Sequence, residues 1–172
     1  MKPTIFLATD HAGFEHKNAL REYLNEHKQK HYNIVDCGNF VRDPNDDYPN
    51  WIIKAAKGVK KNPAKNKAVI FGGSGQGEAI AANKVNDVRA VVCYGADHER
   101  SKEIVRLSRE HNNANVLSFG ARLISKEHVI ELTELWLETG FSEEKRHVRR
   151  IKQIDAFEYK RFWQRFNRLS NH

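Results

Sequence analysis

The amino-acid sequence predicts an α/β protein: a three-layer α/β/α sandwich with a mostly parallel five-stranded sheet, followed by a long C-terminal helix. Three observations predict it. Apolar runs of strand length alternate five times with stripes of helical spacing, the order that lays crossover helices on both faces of a parallel sheet. Runs such as Thr4-Ile5-Phe6-Leu7-Ala8 are apolar throughout instead of at every second position, as strands buried on both faces are. The run Ala68-Val69-Ile70-Phe71 passes straight into Gly72-Gly73-Ser74-Gly75-Gln76-Gly77, a glycine-rich turn that opens a helix.

In chain order, the first strand ends at Thr9-Asp10-His11-Ala12-Gly13. Polar groups at the carboxyl end of a buried parallel strand lie where open α/β sheets bind ligands. Phe14, Ala19, Leu20, Tyr23 and Leu24 form a helical stripe over residues 14–28. Residues 32–36 form the second strand, and residues 38–49 a loop rich in Asp, Asn and Pro that carries Tyr48 before Pro49. Helical spacing resumes over residues 50–61 through Ile52, Ile53, Ala56 and Val59. The third strand and the glycine loop follow, then a small-residue helix with Glu78 in its first turn. Residues 88–94 are the fourth strand, and residues 97–110 a helix with Ile104 and Leu107 facing in. Residues 115–119 are the fifth strand, closed by Gly120-Ala121-Arg122. Ser125 caps a helix over residues 125–138, with Glu127 and Glu131 near its positive end and Gly140 as its stop. A basic helix runs from Ser142 to the end.

The length of 172 residues suits one core-forming domain over residues 1–144, with residues 145–172 as a basic helical appendage. Cys37 and Cys93 stand far apart, which argues against a disulfide framework or a zinc ribbon and fits a reducing compartment. The N-terminus runs into a strand pattern without the layout of a secretion signal, and no apolar run approaches the roughly 20 residues that span a bilayer. A soluble, cytoplasmic protein without membrane contact is expected. The net charge is +7, and residues 145–172 alone carry nine Lys/Arg against two Asp/Glu. The basic character therefore belongs to the last helix, which weakens a general nucleic-acid reading. Ile151, Ile154, Phe157, Phe162, Trp163, Phe166 and Leu169 give that helix much apolar weight, with little left to cover in a finished α/β layer. They predict contact with a second copy, in a homodimer or larger assembly.

The strand, loop and helix around Gly72 present backbone N–H groups and a positive helix end to an anion. A Walker loop requires Lys-Ser/Thr after its last glycine, and Glu78-Ala79 stand there instead. The dinucleotide fingerprint requires a third glycine where this chain has Glu78, counting from Gly73, or Ile80, counting from Gly75. The loop suits an anion but neither nucleotide class. A carboxylate at Glu78 does not help hold a phosphate, so it either caps the helix or does chemistry.

Asp10-His11, the loop with Glu78, His111-Asn112 and Gly120-Ala121-Arg122 all fall at ends of strands or of adjoining helices, and are candidates for one shared crevice. Residue by residue, the plainer alternative is that Asp10 and Ser74 cap helices and His111 is a polar helix end. Arg146 and Arg150 share a helix face at i,i+4 spacing and can clamp a phosphate, or else belong with Arg149 to a solvated basic face. Interleaved with Tyr159, Phe162, Trp163 and Phe166, the basic residues are alternatively a platform for single-stranded nucleic acid, though no RNA-binding signature accompanies them. His27 and His31 lack a third ligand nearby, so no metal is expected. Cys93 lies inside a strand and neither cysteine has an activating base in sequence, so both read as structural.

As an ordered set, these residues resemble the ribose-5-phosphate isomerase B family, which also contains the galactose-6-phosphate isomerase subunits. The resemblance rests on Asp10-His11-Ala12-Gly13-Phe14, Asp47-Tyr48-Pro49, Gly73-Ser74-Gly75, Ile80-Ala81-Ala82-Asn83-Lys84, Arg89-Ala90-Val91-Val92, His111-Asn112-Asn113-Ala114-Asn115-Val116-Leu117 and the arginines of residues 146–150. It covers nearly the whole chain to about Ile154. Many members carry a catalytic cysteine just before the Gly-Ser/Thr-Gly loop, where this chain has Gly72. Another branch has a glutamate at the start of the following helix, and Glu78 matches it.

The resemblance implies a Rossmann-like fold, no cofactor, no metal and a sugar-phosphate substrate. It implies an active site between the subunits of a homodimer or homotetramer, with Arg146 and Arg150 crossing the interface. The implied reaction is reversible aldose–ketose isomerisation of D-ribose 5-phosphate and D-ribulose 5-phosphate, in the pentose phosphate pathway, through an enediolate. Glu78 would move the C2 proton and His111 would open the sugar ring, with Asp10 helping. The Ser74 hydroxyl and the N–H groups around Gly73, Gly75 and Gly77 would hold the negative intermediate. His11, Arg122, Arg146 and Arg150 are candidates for the phosphate, and Tyr48 and Asn112 for sugar hydroxyls. The alternatives are a six-carbon substrate, allose or galactose 6-phosphate, and a non-catalytic nucleic-acid-binding protein. No nucleic-acid partner is expected on the leading reading.

Overall fold

The computed structural model describes residues 2–95 and 97–169, the last nine of these by their backbone alone. The elements in order are β1 (Thr4–Thr9), a single 3-10 turn (His11–Gly13), α1 (Phe14–His27), β2 (Asn33–Asp36), α2 (Tyr48–Lys60) and β3 (Lys67–Gly72). Then come α3 (Gln76–Ala82), β4 (Ala90–Cys93), α4 (His98–Glu110), β5 (Val116–Gly120), α5 (Lys126–Glu138) and α6 (Lys145–Leu169).

The five strands form one sheet in the order β2-β1-β3-β5-β4, and every pairing is parallel. The pleat divides the buried strands between two cores. Ile5, Leu7, Val69, Phe71, Leu117 and Phe119 face α1, α4 and α5, where they meet Leu20, Leu24, Val105, Leu132 and Trp136. Ala8, Ala68, Ile70 and Val116 face α2 and α3, where Ile52, Ala55, Ala56, Val59 and Ala82 pack closely. β1 has β2 on one side and β3 on the other. The connections leaving β1 and β3 therefore diverge, and a crevice opens at their carboxyl ends.

Several details differ from the sequence expectation. α2 begins at Tyr48, so this tyrosine stands on the first turn of a helix and not on a loop. Pro49 suits that turn, because its fixed φ is helical and the first turn needs no N–H from it. On α4 the inward residues are Ser101, Val105, Ser108 and Arg109, while Ile104 is 44% exposed. The two serines can be buried because their hydroxyls donate to carbonyls of the same helix, Asp97 O at 2.6 Å and Val105 O at 2.7 Å. α5 is capped by Ser125, whose hydroxyl accepts from His128 N–H, but it ends on the extended backbone of Thr139 and not on a left-handed Gly140.

α6 starts at Lys145, three residues later than expected, and its first half is tied to its own chain. His147 is buried with its ring 4.2 Å from that of His111, and Glu158 accepts from Asp87 N–H at 3.2 Å. Ile154 and Tyr159 are exposed. The side chains of Phe162, Trp163, Phe166 and Leu169 lie outside the described residues. Among the described residues no helix is long and apolar enough to cross a membrane.

Trp136 is the largest fully buried side chain and fills the layer between α5, α4 and the sheet. Trp136→Ala is expected to cost about 3–5 kcal/mol in urea-induced unfolding. An unshifted midpoint would show that the aromatic core is not where the stability lies.

Candidate active site

A cleft of about 470 Å³ opens at the carboxyl ends of β1 and β3. Asp10, His11 and Ala12 enter it from the end of β1, Gly73, Ser74, Gly77 and Glu78 from the loop after β3, Tyr48 from α2, and Arg122 and Leu123 from the end of β5. The sheet's divergence thus brings together side chains separated by more than a hundred positions.

Glu78, only 4% exposed, is the more deeply buried of the two cleft carboxylates, the other being Asp10. Burial pushes its carboxyl above the ordinary value; its own backbone N–H opposes that shift, and the negative charge of Asp10 adds to it. The carboxyl group lies in the space that a side chain at position 72 would enter. A Cβ on Gly72 would stand 1.9 Å from Glu78 Oε1 and 2.0 Å from its Cδ. A side chain at 72 and this placement of the Glu78 carboxylate exclude each other. Gly75, at φ 75°, makes the left-handed turn into α3, and a Cβ there would strike the backbone of Phe119 at 2.8 Å. Gly75 is the N-cap of α3 and supplies no side chain, so Ser74 is not a true cap; its hydroxyl accepts only a long 3.4 Å bond from Gln76 N–H.

Asp10 does accept from Ala12 N–H at 2.9 Å, capping the 3-10 turn, while its charge acts on Glu78. His11 is held by Asp46, a residue that sequence reasoning missed. Asp46 Oδ1 lies 2.8 Å from His11 Nδ1 and accepts from His11 N–H at 3.0 Å, while its Oδ2 accepts from Asn39 Nδ2 at 2.6 Å. Burial alone would raise the Asp46 carboxyl, but these bonds outweigh it and hold the group below its usual value. With Nδ1 committed to Asp46, Nε2 is the ring nitrogen left for a ligand. The loop bearing Asp46 is itself anchored from beneath. The buried Lys17 ammonium donates to both oxygens of Asp36, at 2.7 and 2.6 Å, and to Asn39 O at 2.7 Å. The Asp46-Asp47 pair beside Tyr48-Pro49 was the available signal.

Arg122 donates its backbone N–H to Gly73 O, and its guanidinium lies against Gly73. The Tyr48 hydroxyl lies against Gly77. Five predicted residues do not line the cleft of the same chain: Gly75, which serves the turn into α3, and four residues that lie elsewhere. His111 caps the C-terminus of α4, and Asn112 O accepts from Arg89 Nε beside the start of β4. A helix that follows a parallel strand returns to the opposite edge of the sheet, so this pair lies at the amino edge, away from Glu78. Arg146, bonded to Glu144 at 2.9 Å, and the exposed Arg150 follow on α6 from that same edge. Of the four groups expected in one crevice, three converge within one chain and His111-Asn112 does not.

Two clusters among the described residues have metal-ligating side chains. In Asp10, His11 and Asp46 the Asp46 oxygens already serve His11 and Asn39, so the cluster reads as a positioning network. In His98, His128 and Glu131 the carboxylate is paired with Lys102 at 2.9 Å, and the two rings stack 4.2 Å apart and 4° from parallel. No point lies in the plane of both rings, so this is not a preformed metal centre. Cys37 and Cys93 are buried with burial pushing both thiols up to about 11, far from reactive thiolates.

The chain matches the Ribose/Galactose Isomerase family over residues 5–154 and belongs to that family. Its relatives include ribose-5-phosphate isomerase B of Mycobacterium leprae (strain TN), 38% identical over 154 residues, spanning 90% of this chain and 89% of that protein. Among solved structures, ribose-5-phosphate isomerase B from Mycoplasma genitalium with bound ribulose-5-phosphate superposes with a TM-score of 0.83 at 35% identity, covering 92% of this chain and 98% of that one. The type B ribose 5-phosphate isomerase of Trypanosoma cruzi gives a TM-score of 0.82 at 35% identity, covering 94% and 99%.

Asp10→Asn removes the like charge that raises Glu78, so the Glu78 carboxyl should titrate at lower pH in the variant. Carbon-13 NMR of labelled glutamate side chains measures this directly, and an unmoved Glu78 titration would show that burial alone sets its proton affinity.

Proposed function

We propose that this protein interconverts D-ribose 5-phosphate and D-ribulose 5-phosphate in the cleft at the ends of β1 and β3. The observation that carries the reading is Glu78: a buried carboxylate of raised proton affinity, beside an anion-ready loop, in a chain of the isomerase family. A base for a C2 proton needs a carboxylate that holds a proton well at the working pH, and desolvation supplies that. Glu78 takes the C2 proton and returns it to C1, leaving the sugar's oxidation state redistributed without an external acceptor. The Ser74 hydroxyl and the N–H groups of the Gly73–Gly77 loop face the enediolate oxygens that carry the negative charge. His11, held by Asp46, and Arg122 bind the phosphate; Tyr48 orients a sugar hydroxyl. Asp10 keeps Glu78 basic and assists proton movement.

The site is completed, in this proposal, by a second copy of the chain. That copy supplies His111 for ring opening, Asn112 for a hydroxyl, and Arg146 and Arg150 for the phosphate. Support comes from the polarity of the fold, which puts these residues on the edge opposite the cleft of their own chain. Residues 145–172 then act as an arm that reaches the partner, and the assembly is at least a homodimer. The two buried thiols suit a cytoplasmic setting.

Isomerase turnover with ribose 5-phosphate, wild type beside Glu78→Gln, is the primary test. The variant should lose about 10²–10⁴-fold in kcat with KM little changed. Wild-type activity confined to a six-carbon sugar phosphate would keep the base and change the substrate. The rate should fall as pH drops through the raised pKa of Glu78, because the base must be ionised. Folded Glu78 binds its proton more tightly than the unfolded chain does, so its ionisation lowers stability as pH rises from the ordinary carboxylate value through the raised one. Glu78→Gln should accordingly melt no lower than wild type at neutral pH.

Gly72→Ala should silence the enzyme to a similar degree while the fold persists, since the methyl group takes the carboxylate's place. A mixed assembly tests the shared site: Glu78→Gln and His111→Ala chains, each inactive alone, should recover part of the activity on mixing. Continued inactivity of a verified mixed dimer would put His111 to work in its own chain or not at all.

A further inference from the structure

At the amino edge of the sheet, opposite the cleft, lies a second pocket of about 440 Å³. Lys67, the first residue of β3, and Arg109, in the last turn of α4, both line it, and they are only 9% and 7% exposed. Neither forms an ion pair among the described residues. Arg109 donates Nε to Thr139 O at 3.2 Å and Nη1 to Asn113 Oδ1 at 2.9 Å and to Ala114 O, all neutral acceptors, which leaves Nη2 without one. Lys67 Nζ stands 5.9 Å from the centre of the Trp136 ring, and the Arg109 guanidinium stands 5.7 Å from the same ring.

The charged groups acting on the pair make the imbalance greater. Lys67 feels Arg109 and Arg89, and Arg109 feels Arg89, with only the phenol of Tyr32 opposing. Lys65 stands exposed at the rim. The one carboxylate lining the pocket, Glu138, is largely exposed and lies 3.7 Å from Lys28. Burial, with repulsion from Arg109 and Arg89, brings the lysine down to about 8, and burial, with repulsion from Arg89, brings the arginine down to about 10. A ring contact alone does not account for two cations: one would serve Trp136, and an apolar side chain would fill the space without the cost of desolvating a charge.

We propose that this pocket is a second anion site, which takes inorganic phosphate or a small phosphomonoester between Lys67 Nζ and Arg109 Nη2, with Lys65 closing on it from the rim. A dianion with several acceptor oxygens matches two fixed donors and a mobile one. No residue of the cleft takes part, and neither does any of the four residues proposed to reach a partner's cleft.

The test is equilibrium dialysis of the full chain against labelled inorganic phosphate, for wild type, Lys67→Met and Lys65→Ala, with isomerase turnover measured on the same samples. Wild type should bind phosphate at two classes of site. Lys67→Met should lose one class and keep its turnover, and Lys65→Ala should weaken that class about tenfold. Tungstate soaked into crystals should scatter anomalously beside Lys67 in wild type and not in Lys67→Met. The same phosphate stoichiometry in wild type and Lys67→Met overturns the proposal, as does a loss of turnover in step with binding, which would assign the phosphate to the cleft. Should Lys67→Met fail to fold, the exposed Lys65 decides alone: unchanged phosphate affinity in Lys65→Ala overturns the site.

Discussion

One small volume is claimed twice in this structure: by the carboxylate of Glu78 and by the side chain that position 72 lacks. The occupancy of that volume sets much of the cleft. β3 must run to its last residue without a side chain there, so that a carboxylate from the next helix can fold back over the strand end. Gly75 must turn left-handed against β5, so that α3 starts close enough to bring Glu78 down. Once in place, the carboxylate is shut off from water and lies near Asp10, and both conditions favour its protonated form. A thiol at 72 and a carboxylate from 78 are therefore two solutions to one spatial problem, and a chain can hold only one of them at a time.

The second constraint is the polarity of a parallel sheet. All carboxyl ends lie along one edge, and every crossover helix must finish at the other. That rule gathers Asp10, Gly73, Glu78 and Arg122 although they come from three different strands. The same rule removes His111 and Asn112, which end a crossover helix. The cleft residues and the pair His111-Asn112 therefore lie on opposite edges of one chain. The amino edge also carries the buried Lys67 and Arg109.

Much of this was legible in the residues. Continuous apolar runs at β1, β3 and β5 with helical stripes between them describe the layers well, because burial on both faces leaves no polar alternation to confuse strand with surface. The cleft members of β1, β3 and β5 were legible because polar groups directly after buried strands have few structural reasons to be there. Ile104 is the opposite case: its helical spacing predicts an inward face, whereas serines with self-satisfied hydroxyls take the inward positions of α4. The Asp/Asn/Pro composition around Tyr48 predicts a loop and masks a helix start that Pro49 favours. Asp46 escaped notice because its partner, His11, lies far off in sequence, and hydrogen bonds between loops leave no periodic trace. The strand order is not legible, since an apolar run buried on both faces carries no mark of which strands flank it.

That order has a bearing on how the chain is made. β4 pairs with β5 alone, and β5 lies between β3 and β4. As the polypeptide leaves the ribosome, β4 emerges before the only strand it can join. Until Val116–Gly120 appears, β3 keeps an unpaired edge and β4 remains an apolar segment with nowhere to dock. The sheet of the nascent protein can close only when most of the chain has been synthesised, and the strand that closes it also delivers Arg122 to the cleft. Completion of the sheet and delivery of Arg122 to the cleft are thus a single late event in the life of the molecule.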